Sequence, residues 1–480
     1  MNSTVRTRFA PSPTGYMHIG NLRTALYEYL IAKSQNGKFI LRIEDTDRSR
    51  FVEGAEEVIY RTLKKVGLNH DEGPDIGGDY GPYKQSERKN NYLKYAEKLV
   101  SEGKAYYCFC EKNEEESQIS GHSDKCRSIP YEEAKKLISE GKKYVIRQKM
   151  PKEGTTSFED MVFGKVTVEN KELEDQILIK SDGFPTYNFA NVIDDYEMKI
   201  THVVRGSEYL SSTPKYNILY EDFGWEIPKY IHLPLIMGKN EDGTTSKLSK
   251  RHGAVSFEDL LNLGYLPQAI INYIAFLGWC PESNEEIFSL EKLEKEFSIN
   301  RISKSPSIFD YKKLDWFNSE YMKNMSDEEF LNLSIPYIEK SISKEFIDKK
   351  LISSLLKSRI STLNQIPEMI EFLENIPSYE IELFQNKKSK STLESSLEIL
   401  KIIKEKLNSI PSWDYQTIHD ILINTATELE IKNATLMWPV RIAISGKTVT
   451  PGGAVEILEI LGKNESINRI ENAINMLCKE

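Results

Sequence analysis

The stretch T-R-F-A-P-S-P-T-G-Y-M-H-I-G-N, residues 7–21, restricts the fold more than any other part of the chain. Thr7 to Ala10 is a short segment that stops at a Pro-Ser-Pro-Thr-Gly turn, as a buried strand does when it ends abruptly. From Ile19 the pattern becomes helical. Leu22, Ala25, Leu26, Tyr29 and Leu30 fall at helical spacing and make one apolar face. Gly37 then stands where a left-handed helix cap is expected. Phe39 to Ile43 reads as a second strand that runs into Glu44, Asp45 and Asp47. Strand, helix and strand this close together make a βαβ unit, whose crossover is almost always right-handed. The expectation is an α/β fold with a parallel, nucleotide-binding type of sheet.

The chain has 480 residues, too many for one core, so several domains are expected. Tyr107 to Gly183 carries short β-rich pieces, three cysteines and a turn at Asp182-Gly183, which reads as an insertion into the first domain. Strands are expected again at Tyr187–Ala190, His202–Val204, Ile231–Leu233 and Leu235–Met237. From about Lys312 the chain becomes a succession of amphipathic helical segments. Ser326-Asp327-Glu328-Glu329 is a capping-box start, and Ser354-Leu355-Leu356 opens a further helical stretch of mixed charge.

Bulk properties exclude some classes. No run of 18 apolar residues occurs, so a membrane span is not expected. The opening MNSTVRTRFAPSP has no apolar core after a basic stretch, so no secretory signal is expected and a cytoplasmic location is. Five cysteines make no disulfide framework. The net charge of −10 speaks weakly against nucleic acid, yet a local basic face can coexist with it, for example in IDKKLISSLLKSR or QNKKSKS.

Two segments suggest phosphate chemistry. In Pro11 to Asn21 two prolines stiffen the loop and two glycines let a nucleotide approach the backbone. His18 and Gly20 then sit at a helix N-terminus, where free N–H groups favour phosphate. A neutral or protonated His18 could hydrogen-bond a phosphate oxygen as charge builds. Thr245-Ser246-Lys247-Leu248-Ser249-Lys250-Arg251, after the Gly-containing segment 238–243, puts three cations within five residues and would clamp a polyphosphate. Each alone is also an ordinary capping His or an ordinary surface loop.

Their combination narrows the choice. P-S-P-T-G-x-x-H-I-G, followed about 230 positions later by K-L-S-K-R, resembles the paired signature of class I aminoacyl-tRNA synthetases. Asn21 after H-I-G and Arg251 at the end of the second motif point to the bacterial glutamyl branch. Further blocks agree with it: R-F-A-P-S-P-T-G, R-I-E-D-T-D-R-S-R, Y-N-F-A-N-V-I-D-D, V-V-R-G-S-E-Y, L-G-Y-L-P-Q-A-I-I-N-Y-I-A-F-L-G-W and M-W-P-V-R-I-A-I-S-G. The resemblance covers nearly the whole chain. It implies a Rossmann-type catalytic domain (1–82 and 187–238) with an inserted acceptor-stem-binding domain (83–186). A stem-contact domain with the K-L-S-K-R loop (239–322) and two all-α anticodon-binding domains (323–372 and 373–480) would follow.

The resemblance also implies roles. L-glutamate, ATP with Mg²⁺ and tRNA(Glu) are the expected partners, for a monomer with no membrane association. His18, Lys247 and Lys250 form the catalytic set, with Lys250 on the phosphates and Lys247 supporting the loop. His18, Gly20, Glu208 and Lys250 bind ATP. Arg8 and Arg205 take the carboxylates of glutamate, Glu44 its ammonium, and Ala10, Ser12, Tyr187 and Asn191 complete the pocket. Two guanidinium forks and one acid match the charges of glutamate, and a neutral amide would leave a buried arginine unpaired. Anticodon choice would rest near Lys357 and Arg359, and a relaxed enzyme that also charges tRNA(Gln) is the rival within the family. A tRNA-shaped binding module without chemistry is the rival outside it. Cys108, Cys110 and Cys126 resemble a zinc module of some relatives, but Ser128 stands at the fourth position and serine is a poor zinc ligand. His122 is an alternative fourth ligand. Zn²⁺ is therefore possible but not favoured, and no metal-binding residue is assigned.

Overall fold

A computed structural model describes residues 4–46, 52–110, 124–345 and 347–479, in two compact units. The first comprises Met1–Asn262 with Pro267–Leu314, the second Leu263–Leu266 with Asp315–Glu480. Asp47 and His122 lie outside the described residues.

In the first unit, β1 (Arg6–Phe9) and β2 (Lys38–Leu41) pair in parallel, with Arg6 opposite Lys38 and Phe9 opposite Leu41. They are joined by α1 (Ile19–Lys33), the expected βαβ start. The predicted face of α1 is buried, but so are Arg23, Tyr27 and Glu28, so the helix has no solvent side to match its charges. Gly37 is not the left-handed cap expected. Asn36 takes that conformation, with φ of 53°. Gly37 is needed for another reason: a Cβ there would lie 2.3 Å from the Val5 carbonyl oxygen, where the chain passes behind β1.

Helices α2 (Ala55–Val66), α3 (Lys89–Ser101) and α4 (Tyr131–Ser139) belong to the same unit. β3 (Ala105–Cys108), β4 (Val145–Gln148) and β7 (Ile177–Ile179) form an antiparallel sheet in the order β3-β4-β7. Between β4 and β7 the chain makes a hairpin of β5 (Thr155–Asp160) and β6 (Gly164–Glu169). That hairpin joins β8 (His202–Gly206) and β9 (Lys229–Leu233) in one sheet, ordered β6-β5-β9-β8. β8 and β9 run parallel, with Arg205 opposite His232.

The strand expected at Tyr187–Ala190 is instead the first turn of α5 (Tyr187–Glu197). Phe189, Ala190, Val192 and Ile193 are buried, and so are Asn191, Asp194 and Asp195. A helix covered on every side shows no amphipathic period, and a four-residue apolar run fits either element. The next helix is α6 (Thr213–Phe223). β10 (Ile236–Lys239) pairs antiparallel with β11 (Thr245–Lys247) and parallel with β12 (Ser307–Ile308).

α5 supplies the charges around which this unit is organised. Asp195 accepts from Arg8 at 2.9 and 3.2 Å and from Arg42 at 2.7 Å. Arg42, fully buried, also donates to Glu44 at 3.0 and 3.3 Å. Asp194, the next residue, turns to Arg88, Gln85 and Tyr92 at 2.7 to 3.0 Å. Burial alone would raise the Asp195 carboxyl, but Arg8 and Arg42 outweigh it and hold the group below its ordinary range.

The second unit is helical between residues 327 and 477, with 3₁₀ turns between some helices. Ser326 and Glu329 form the reciprocal capping box expected of the helix Asp327–Ile338. Ser354 does not open a helix; it lies near the end of Lys349–Leu356, which is capped by Asp348. Aspartate accepts from two exposed backbone N–H groups there, so the start lies six residues earlier than the Ser-Leu-Leu reading implied. Lys357 is tied to the Met325 carbonyl at 2.6 Å and Asp327 at 2.7 Å. Buried Arg469 donates to Phe372, Leu373 and Ile444 carbonyls at 2.7 to 3.2 Å, so it satisfies the C-terminal ends of two helices.

Asp195→Asn should destabilise the first unit by about 3–5 kcal/mol, because it leaves two buried guanidiniums without their shared countercharge. The expected readout is a lower first melting transition in calorimetry, with the transition of the helical unit unmoved.

Candidate active site

At the carboxyl ends of β1, β2 and β8 lies a cavity of about 400 Å³, within the range of small-ligand sites. Arg8, Ala10, Ser12, His18, Gly20, Glu44, Tyr187, Arg205, Glu208 and Lys247 all line it. Ten of the twelve residues expected at the site are thus gathered here, from loops far apart in the chain. Asn191 is not in the wall itself but lies one helical turn beyond Tyr187 on α5, and its buried Nδ2 has no partner. Lys250 is exposed on a short 3₁₀ turn (Lys250–His252) and does not line the cavity.

The two arginines differ. Arg8 spends four of its five donors on Asp195, Glu28 and the Val204 carbonyl. Burial pulls its pKa down, but Asp195 and Glu28 outweigh that, so the cation is fixed and largely neutralised. Arg205 is 6% exposed and has no carboxylate partner among the described residues. Its guanidinium carbon lies 4.5 Å from the Tyr216 ring centre, 5.3 Å from that of Tyr209 and 5.6 Å from that of Tyr230. Its Nε is buried and unpartnered. A positive charge boxed by aromatic faces, with an idle donor, needs an anion.

Glu44 is 3% exposed; Oε1 is held by Arg42 while Oε2 is buried with no donor. Burial pushes its pKa up to about 7, against the pull of Arg42 and Arg8. An idle carboxylate oxygen that resists ionisation suits a cationic ligand, which would restore the charge.

His18 caps α1. Its Nδ1 accepts from Gly20 N at 3.0 Å, which leaves the proton on Nε2. Burial, and then Lys247, lower its pKa, so near neutral pH it is an uncharged donor. Lys247, on β11, reaches Glu208 at 3.3 Å across an exposed edge. The lysine loop is braced from behind by His252, whose ring bonds Ser249 N at 3.0 Å and Asn240 Oδ1 at 3.0 Å. Gly238 makes room for that ring; a Cβ there would be 2.4 Å from it.

The family description "tRNA synthetases class I (E and Q), catalytic domain" matches residues 4–316, and "Anticodon binding domain" matches 316–474. The glutamate–tRNA ligase of Clostridium tetani is 56% identical, covering 99% of this chain and 98% of that one. Its counterpart from Clostridium botulinum strain Hall is 54% identical over 99% of both. The chain belongs to the glutamate–tRNA ligases of class I. The fold agrees: a crystal structure of the Elizabethkingia meningosepticum glutamate–tRNA ligase, in complex with its amino acid, superposes with a TM-score of 0.88. It shares 36% identity and covers 99% of this chain and 100% of that one.

Several residues of the synthetase's site were not foreseen as such. Arg42, Asp194 and Asp195 stand inside R-I-E-D and V-I-D-D, but a charge in sequence gives no sign that it is buried. Arg23 and Glu28 line the cavity from α1; the signal was a charged residue on a helix too apolar to have an outer face. The sulfurs of Cys108, Cys110 and Cys126 lie within 4.8 Å of one another, three of the four ligands that a structural zinc takes. Ser128 is turned away, its hydroxyl bonded to the Lys125 carbonyl at 3.1 Å. No helix among the described residues is long and apolar enough to cross a membrane.

Because its pKa is raised on folding, Glu44 favours the fold while protonated and loses that contribution as pH rises through about 7. Glu44→Gln should therefore melt higher than the parent synthetase at pH 8 and almost together with it at pH 5. Equal melting shifts at both pH values would contradict the raised pKa.

Proposed function

We propose that the synthetase activates L-glutamate and loads it onto tRNA(Glu) at this single cavity, with Arg205 and Glu44 reading the amino acid. The observation that carries the reading is the set of idle buried atoms around the cavity: Arg205 Nε, Glu44 Oε2 and Asn191 Nδ2. Buried polar atoms without partners are rare in native proteins; two of these belong to residues of the cavity wall and the third lies one helical turn behind Tyr187, a set that suits a zwitterion with an extra carboxylate. Arg205 takes a carboxylate and Glu44 the ammonium. Arg8, already shared between Asp195 and Glu28, offers one remaining N–H and a rigid wall. Ala10, Ser12 and Tyr187 close the shell. Because Arg205 has no carboxylate partner among the described residues, replacing the ligand carboxylate by an amide leaves it unpaired, which is the physical basis for refusing glutamine.

In the first step the amino acid carboxylate attacks the α-phosphate of ATP, giving glutamyl-adenylate and pyrophosphate. Charge crowds on the phosphates, so positioning and fixed donors dominate. Neutral His18 donates from Nε2 at the N-terminus of α1, beside the Gly20 backbone, with Glu208 and Lys247 on the opposite rim. Lys250 reaches the phosphates when its loop folds over them, and Mg²⁺ accompanies ATP as a counter-cation. In the second step the 2′-hydroxyl of the terminal ribose takes the acyl group. Zinc on the cysteine cluster enters neither step. Residues 1–82 and 187–238 serve as the catalytic domain, 83–186 bind the acceptor stem, 239–322 carry the lysine loop, and 323–372 and 373–480 read the anticodon. The enzyme acts as a cytoplasmic monomer.

The test is tRNA-dependent charging with labelled glutamate, glutamine and aspartate in parallel, on purified tRNA(Glu) and tRNA(Gln). Charging by glutamate alone is expected; equal charging by glutamine would overturn the role of Arg205. Lys250→Ala should lower pyrophosphate exchange, measured with tRNA present, by about a hundredfold or more with little change in the KM for glutamate. An unchanged exchange rate would remove Lys250 from the phosphates.

A further inference from the structure

Arg205 is confined by three aromatic rings, but rings fix only the plane of a guanidinium. A cation attracted to ring faces can still turn within that plane. Among the described residues its side chain makes one hydrogen bond, from Nη2 to Thr213 Oγ1 at 3.2 Å. Thr213 opens α6 and is itself fully buried. Its hydroxyl also lies 3.2 Å from Nε2 of His232 and 2.9 Å from the Tyr209 carbonyl.

Behind Thr213 stands a buried pair, His232 and Asp160. His232 is paired with Arg205 across β8 and β9, and Asp160 lies at the end of β5 on the far side of β9. Asp160 accepts from four N–H groups: Val162 N at 2.9 Å, Phe163 N at 2.8 Å, His232 N at 3.0 Å and His232 Nδ1 at 2.7 Å. A carboxylate saturated in this way keeps the imidazole proton on Nδ1, so Nε2 is an acceptor. The Thr213 hydroxyl has one proton to give, and it goes to the Tyr209 carbonyl at 2.9 Å, which turns a lone pair to Arg205. Burial lowers the pKa of His232, and neighbouring Arg205 lowers it further, so the ring adds no second positive charge beside the arginine.

We propose that Thr213, its hydroxyl proton held by the Tyr209 carbonyl, is the positioning residue that aims Arg205 at the substrate carboxylate and thereby sets the preference for glutamate over glutamine. The proposal rests on the reading of Arg205 as the carboxylate partner. Thr213 does not line the cavity, so it acts only through Arg205.

The test compares Thr213→Val, which keeps the shape and removes the hydroxyl, with Thr213→Ser, which keeps the hydroxyl. Pyrophosphate exchange with tRNA gives KM values for glutamate and ATP and the kcat/KM ratio of glutamate to glutamine. Loss of a hydrogen bond to a charged group is worth roughly a ten- to hundredfold effect. Thr213→Val should raise the glutamate KM about tenfold or more and lower the glutamate-to-glutamine ratio similarly, with the ATP KM unmoved. Thr213→Ser should restore both. An unchanged glutamate KM in Thr213→Val, equal rises for glutamate and ATP, or Thr213→Ser as damaged as Thr213→Val would each overturn the proposal. Should Thr213→Val fail to fold, Thr213→Ala carries the same test, with a raised glutamate KM expected and an unchanged one overturning it. Arg205→Gln separates the two levels. If it leaves the glutamate KM unchanged, the reading of Arg205 itself fails; if it raises that KM while Thr213→Val does not, only the positioning role falls.

Discussion

Asp195 lies between two buried guanidiniums, and most of the catalytic unit can be understood from that contact. Its carboxylate is the countercharge for both Arg8 and Arg42. Arg8 stands on β1, Arg42 just beyond β2, and Asp195 on α5, so one anion ties together the three elements whose ends form the cavity. Charges this deep are costly unless every lone pair and proton is used, and here nearly all of them are. The exceptions are informative. Where the network reaches the cavity it stops short, with Oε2 of Glu44 and Oε2 of Glu28 left without donors. Internal pairing is complete at the sheet and incomplete at its open edge.

Arg205 follows a different rule on the neighbouring strand. It is screened by tyrosine rings rather than by carboxylates, and its hold on the protein is a single hydroxyl. A cation compensated by acids cannot tell a carboxylate from an amide, since its charge is already answered. One compensated only by ring faces can. In the proposed reading the two arginines divide the work: Arg8 is the rigid wall and Arg205 selects. The N-terminus of α1, with neutral His18 as its cap, completes the cavity.

Much of this was legible in the residues. The βαβ start, β8, β9 and the helical second unit lie where periodicity placed them, and the paired motifs brought most of the site residues to one cavity. Part of what could not be read has one cause, burial on all sides. Tyr187–Ala190 looked like a strand because a helix covered all round has no polar face to betray its turn. Arg42, Asp194 and Asp195 were hidden because charge in a sequence normally signals solvent. Gly37 was assigned to a conformational need when the actual need is spatial, the close passage of Val5. Lys250 was placed among the phosphates by its motif, yet the loop leaves it outside the wall and puts Lys247 there instead.

If Glu44, whose carboxyl is raised by burial to about 7, answers the ammonium of the substrate as proposed, glutamate binding displaces its proton. Calorimetric titration with glutamate in two buffers of different ionisation enthalpy measures the protons exchanged on binding. Proton release on binding should be plain at pH 6 and fade by pH 8, as the bound cation drives Glu44 to its charged form. A binding enthalpy that does not depend on buffer at pH 6 and 7 would contradict it.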